Sequence, residues 1–178
     1  SGAHVIPKIW YEQPLYFKGN PRSVIGPDDD VIWPKFARLM DYELELAVVV
    51  GGPAKDLTPE NAPKAIFGYT IFNDFSARDM QSRETQFRLG PAKGKDFDTG
   101  NALGPVIVTP DEIGDPTALT MVARVNGQER VRTISGGMQH SIADTLVHIS
   151  QSETLYPGDV VGLGTVGNGC GYESLTFL

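Results

Sequence analysis

The sequence predicts a mainly β, roll-like single domain with a few short helices, an α+β fold in which strands dominate. Three observations carry this. Gly and Pro are abundant, 20 and 13 of 178 residues, which favours short strands and tight turns over long helices. The stretch DYELELAVVV (41–50) keeps a strand-like alternation. Asn126-Gly127 stands between two apolar runs as a strong hairpin signal. A chain of this length suffices for one domain with a sizeable core.

The elements follow in order. Residues 14–34 read as short extended pieces broken by Gly-Asn-Pro and Gly-Pro-Asp-Asp turns. A strand over 42–51 ends at Gly51-Gly52-Pro53. TPENAPKAIF (58–67) suggests a short helix opened by Thr58 and Pro59. IFGYTIF (66–72) is strand-like, and NDFSARDMQ (73–81) turns into a helix, with Ser76 and Asp79 spaced as a capping box. NALGPVIVTPDEI (101–113) and ALTMVARVNGQERV (118–131) read as strands, the latter as a hairpin. QHSIADTLVHIS (139–150) puts Ile142, Leu146 and Ile149 on one helical face. PGDVVGLGTVG (157–167) closes with a turn and a strand. The chain starts in a loop-like stretch and stops in ESLTFL as if entering another element, so residues are expected beyond both ends.

Composition narrows the function classes. Lys and Arg number 15 against 22 Asp and Glu, a net charge of −7, with no basic run. Nucleic acid and anionic membranes are therefore poor partners. No apolar run approaches the ~20 residues a membrane span needs, and no signal-peptide pattern opens the chain. The single cysteine, Cys170, excludes an internal disulfide and a cysteine zinc cluster, and a reducing cytoplasm is the default compartment. Gly162-x-Gly164-x-x-Gly167 matches the dinucleotide fingerprint in form. That motif needs a helix starting at the glycines, and Asn168-Gly169-Cys170-Gly171 is a poor helix, so a nicotinamide oxidoreductase is a distant alternative. His140 and His148 lie ~80° apart around a helix, a poor ligand pair, and read as surface or packing residues; His4 has only a slightly better claim.

The acids of 41–50 carry the chemistry. Asp41, Glu43 and Glu45 share one strand face with Ala47 and Val49, while Tyr42, Leu44, Leu46, Val48 and Val50 take the other as a core face. Carboxylates two residues apart sit only ~6.5–7 Å from each other and repel. A solvated face is one explanation, but Ala47 and Val49 imply burial, and a buried carboxylate is costly unless paired or metal-bound. Asp74, in the turn after the strand 66–72, adds a carboxylate from a second element. Such a set suits Mg²⁺ or Mn²⁺, which take oxygen ligands and keep waters for substrate to displace. Arg78 and Lys95 are available to neutralise the acids instead.

With these residues in hand, DYELELAVVVG, GYTIFNDFSARDMQ, GPAKGKDFDTGNALGP, ARVNGQER and LYPGDVVGLGTVG resemble, in order, the successive blocks of the fumarylacetoacetate hydrolase family, from about residue 14 to 171. The resemblance implies a β-roll catalytic domain, usually dimeric, holding Mg²⁺ or Mn²⁺ and acting on 2-oxo or 1,3-dicarbonyl acids. It places the metal ligands on Glu43, Glu45 and Asp74, with Asp41 a structural acid behind them. It also implies substrate contacts from Arg78 and Gln81, a lysine facing the metal-bound ligand in Lys95, a carboxylate-gripping Thr165, and a pocket-lining pair in Phe17 and Lys18. Lys95 and Arg78 are the catalytic candidates. The family's His–Glu pair and its closing Pro-Gly-Asp and Gly-rich block have no counterpart in this sequence, and Gly-Thr-Val replaces the common Gly-Thr-Pro.

The expected activity is hydrolytic carbon–carbon cleavage of a fumarylacetoacetate- or acylpyruvate-like acid by a cytoplasmic homodimer. Decarboxylation or tautomerisation of a 2-oxo dicarboxylic acid on the same site is the alternative. A non-catalytic, metal-supported binding module is the alternative of a different class.

Overall fold

The computed structural model describes residues 6–88 and 90–178. His4 lies outside them. A short helix α1 (Ile9–Glu12) opens the described chain, followed by a 3-10 turn over Pro21–Ser23 that the Asn20 side chain caps on the Arg22 amide. Strands β1 (Val24–Ile25), β2 (Met40–Asp41) and β3 (Glu43–Val50) lead into a 3-10 turn over Ala62–Ala65 and strand β4 (Ile66–Asp74). Next come β5 (Ser76–Ala77), α2 (Arg78–Glu84), β6 (Asn101–Leu103) and α3 (Pro110–Ile113). The hairpin β7 (Thr120–Val125) and β8 (Gln128–Ile134), helix α4 (Ile142–Ser150), the long strand β9 (Val160–Cys170) and α5 (Gly171–Ser174) complete the order.

One five-stranded sheet runs β1-β6-β4-β3-β9, parallel only between β1 and β6, and two strand pairs, β2-β5 and β7-β8, stand beside it. Strand β3 is thus bonded along both edges, to β4 on one side and β9 on the other. All eight of its residues are buried. One face of β3 (Leu44, Leu46, Val48, Val50) forms the main core with Tyr69, Leu155 and the inner face of α4, namely Ile142, Leu146 and Ile149. These are the apolar sets that alternation and helical spacing select, and burying such side chains drives the packing at about 1.5–3 kcal/mol each. The opposite face carries Glu43, Glu45, Ala47 and Val49.

Local chemistry explains most boundaries. Asn126 and Gly127 both take positive φ, 53° and 76°, as a tight primed hairpin turn requires. Ser141 and Asp144 form a reciprocal capping box that starts α4. The box expected at Ser76 and Asp79 does not form. Ser76 is drawn into β5 and its hydroxyl donates to the Asp74 carbonyl, while Asp79 accepts from the Arg38 amide, so α2 begins at Arg78. The helix expected over 58–67 shrinks to the Ala62–Ala65 turn, because Ile66 is already claimed by β4 opposite Val50. In 101–113 only Asn101–Leu103 is a strand; Thr109-Pro110 opens a helical turn instead, with Pro at its first position.

Candidate active site

Glu43 and Glu45 point from the buried polar face of β3, and Asp74 ends β4 beside them. The register sets this up: Leu44 pairs with Asn73 and Glu45 with Phe72, so Asp74 lies alongside Glu43 on the same face. One carboxylate oxygen from each acid falls within 4.8 Å of the others, and among the described residues no other such cluster of potential ligands occurs. The Asn73 side chain accepts the Glu43 amide proton at 3.1 Å, extending the ladder past the pleat.

Two cations enter the cluster. Lys95 Nζ donates to Glu43 Oε2 and Asp74 Oδ2, both at 2.8 Å, and is only 3% exposed. The Arg78 guanidinium donates from Nε to Asp41 Oδ2 at 2.8 Å and from Nη1 to Glu43 Oε1 at 2.7 Å and Gln81 Oε1 at 3.0 Å. The Tyr172 ring lies against it, 5.5 Å from the guanidinium carbon. Asp41, fully buried, is used up elsewhere: besides Arg78 it accepts the amides of Tyr42, Gly171 and Tyr172, and so holds the start of α5. It therefore supports the cluster from behind.

The four buried acids still exceed the two cations, leaving two formal negative charges. That excess appears in the proton affinities. Burial pushes the Asp74 carboxyl from 3.8 up to about 6, with Lys95 only partly opposing it and Glu43 adding to it. Burial, then the charges of Asp74 and Glu43, push Glu45 well up. Burial would raise Glu43 too, but Lys95 and Arg78 outweigh it and hold that carboxyl low.

A divalent cation fits what is there. Asp74 Oδ1 is buried without a hydrogen-bond partner, an acceptor left unused on a carboxylate of the cluster. The all-oxygen donor set is that of a hard cation, and one such ion cancels the excess charge. Glu45 is steered by β9, where the Gly164 amide donates to its Oε2 at 3.1 Å. A Cβ at Gly162 would stand 2.7 Å from the same oxygen and 2.8 Å from the Phe72 ring, so only glycine lets β9 run this close. The glycines of the apparent dinucleotide fingerprint therefore lie within a strand, and two of them, Gly162 and Gly164, serve Glu45.

The remaining candidates separate. Thr165 pairs with Glu45 across the ladder and shares its face. Phe17 lies against Gly90, while Lys18 points to Glu153 at 2.7 Å on the surface, and the structure does not bring it to the acids. His140 bonds the Trp10 carbonyl and His148 stacks edge-on against Tyr16, both away from the cluster. An apolar cavity of about 430 Å³ opens over the other face of β3, between Tyr42, Leu44, Ile71 and Val122, and includes none of the charged residues of the cluster.

Sequence reading placed Asp41 behind the ligands as a structural acid without assigning it Arg78 as its partner, and it overlooked Glu84. Its carboxylate receives three amides of the loop before Lys95, a contact set by tertiary folding.

The chain matches the profile of the fumarylacetoacetate hydrolase C-terminal family over residues 2–178. It belongs to the fumarylacetoacetate hydrolase family. Among curated relatives, it is 38% identical over 156 residues to the mitochondrial oxaloacetate tautomerase of Homo sapiens, covering 86% of this chain and 48% of the relative. It is 37% identical over 154 residues to 2,4-didehydro-3-deoxy-L-rhamnonate hydrolase of a Sphingomonas species, covering 86% of this chain and 53% of that one.

Among solved structures, fumarylacetoacetate hydrolase from Exiguobacterium antarcticum superposes with a TM-score of 0.81 at 37% identity, covering 91% of this chain and 57% of that one. Fumarylpyruvate hydrolase from Pseudomonas aeruginosa, solved with Mn²⁺ and pyruvate, gives 0.77 at 26% identity, covering 88% and 68%. The chain spans about half the length of the curated relatives it matches. Its fold is that of the family.

Proposed function

We propose that Glu43, Glu45 and Asp74 hold one Mg²⁺ or Mn²⁺, and that the enzyme forms and stabilises the enolate of a 2-oxo or 1,3-dicarbonyl acid. The observation that carries this is the buried three-carboxylate cluster with its unused Asp74 oxygen and its two fixed cations. The Mn²⁺ and pyruvate of the Pseudomonas relative support the same class of ligand. When bound, the ion supplies Lewis-acid polarisation of a carbonyl.

The chain's own residues do the rest. Arg78 and Lys95 are positive charges placed in a water-poor site before the reaction, where they stabilise negative charge building on the substrate oxygen at no cost in reorganisation. Arg78 cannot wander, because Asp41, Glu43 and Gln81 take its donors. Among the described residues Lys95 is the one ammonium that reaches two of the proposed ligand acids, and it is the group assigned to hold or deliver a proton at the substrate oxygen. Gln81 and Thr165 are assigned to orient the substrate carboxylate.

Two outcomes share the enolate. In carbon–carbon hydrolysis water adds to the acyl carbon, the bond breaks with its electron pair left on the α-carbon as the enolate, and a proton completes the product. In tautomerisation a proton leaves the α-carbon and another is gained at oxygen, with no bond to water. The rhamnonate hydrolase relative favours the first, and the oxaloacetate tautomerase relatives favour the second. The test follows the enol absorbance of oxaloacetate and the release of pyruvate from acylpyruvates by the full chain, with Mg²⁺, with Mn²⁺ and with chelator. Metal-dependent acceleration of either supports the proposal. Cation binding by calorimetry with no turnover of any such acid leaves the binding-module alternative instead. A homodimer belongs to the same proposal and is read by sedimentation.

A further inference from the structure

Helix α2 carries Arg78 and Gln81 in its first turn and Glu84 at its end. The Glu84 carboxylate accepts three consecutive backbone amides from the loop that follows: Ala92 at 3.1 Å, Lys93 at 2.6 Å and Gly94 at 3.0 Å. Successive N–H groups converging on one anion form a strong, direction-setting cradle. The next residue is Lys95, whose own amide turns back onto the Ala92 carbonyl at 3.0 Å.

The same loop is bonded to the other end of the helix. The Gly94 carbonyl accepts the Ala77 amide at 2.8 Å, and a Cβ at Gly94 would stand 2.8 Å from the Gln81 nitrogen, so the loop lies directly on the helix.

We infer that Glu84 is a positioning residue that sets Lys95 against the carboxylate cluster and makes the Lys95 loop and the Arg78–Gln81 helix a single unit. The geometry demands such a device. Lys95 must hold two acids at 2.8 Å from a loop with no ladder hydrogen bonds on either side. Glu84 supplies the missing rigidity by tying three amides at once. The inference rests on the proposed role of Lys95, and its test separates the two.

In the full chain, the acylation rate of the Lys95 amine by acetic anhydride is measured by peptide mass spectrometry, with exposed Lys55 as internal control. Wild type labels slowly. Glu84→Ala labels severalfold faster, and Glu84→Gln, which keeps one acceptor oxygen but sets an N–H against the remaining amide, falls between the two. In turnover Glu84→Ala loses on the order of ten- to a hundredfold in kcat with KM little changed, as sub-ångström misplacement of a catalytic group predicts. A residue that only braces the fold would lower the melting temperature and leave kcat and Lys95 labelling alone. Unchanged labelling in Glu84→Ala overturns the inference. So does faster labelling with wild-type kcat, provided Lys95→Met is inactive. If Lys95→Met turns over normally, the catalytic role proposed for Lys95 fails, and the labelling result alone decides the placement.

Discussion

Stripping the cation while raising pH should weaken this protein in a way traceable to Asp74. Its carboxyl, at 3.8 in an ordinary setting, is raised to about 6 by burial and the Glu43 charge against the partial opposition of Lys95. The folded chain therefore keeps a proton that the unfolded chain has already released. Stability from this group is complete below its unfolded pKa and is lost as pH climbs through about 6. The gap amounts to about 3 kcal/mol, of which about 1.4 kcal/mol falls between pH 5 and 7.5. For a chain of this size that is a fall of about 3–6 °C in Tm.

Glu45, also raised, adds in the same direction, while Glu43 is held low and changes only below its ordinary range. A bound divalent ion removes the penalty, since it prefers the ionised acids. Scanning calorimetry with chelator and with saturating Mg²⁺, from pH 5 to 7.5, should give curves that diverge as pH rises, and Asp74→Asn should shrink the divergence. Parallel curves across that range, or the same divergence in Asp74→Asn, would refute the reasoning.

Further outcomes follow from the same geometry. Asp74→Ala should abolish tight Mg²⁺ binding in calorimetry and turnover with it, while circular dichroism shows the fold retained. Lys95→Met should cost on the order of a hundredfold or more in kcat, the scale for losing one preorganised charge at a developing anion, with near-native Mg²⁺ affinity. Gly162→Ala forces a carbon to within 2.7 Å of Glu45 Oε2; Mg²⁺ titration should weaken clearly, and denaturant melts should show about 1–3 kcal/mol of overpacking. Leu146→Ala, in the core and fully buried, should destabilise by about 2–5 kcal/mol without altering cation affinity in the folded protein.

The parts of the fold legible in the sequence are those where periodicity meets burial. Alternation along 42–50 separated the Leu44–Val50 core face from the acids, and helical spacing found Ile142, Leu146 and Ile149. The primed turn at Asn126-Gly127 was legible because only a few residues tolerate positive φ there. Some boundaries were legible, such as the start of β4 at Ile66 and the end of α4 at Ser150; others were not. Ser76 had a locally acceptable cap to make, but pairing with Asp41 in β2 claimed it first, and the helix read over 58–67 was cut short because Ile66 belongs to β4. At the site, acids two apart announced a charge problem. The residues solving it come from distant positions: Lys95 reaches Glu43 across 52 residues, and the Gly164 amide reaches Glu45 across 119. No local pattern encodes such meetings: Lys95 could be named as an available cation, but neither its two acid partners nor the Gly164 contact is written in the neighbouring sequence.

Strand β3 is hemmed by partners on both edges, with oil on one side and anions on the other. Amides held on both edges of a buried strand should open to solvent rarely, so the acids sit on a slowly exchanging support. Carboxylates anchored so firmly leave little freedom for change at the strand itself. Variation has more room at the rim, where a segment such as 16–23 holds its shape by a few side-chain tethers. The chain is similar to proteins named as a tautomerase, a hydrolase and an isomerase, and a firmly held strand with a looser rim is a frame on which such differences can be built.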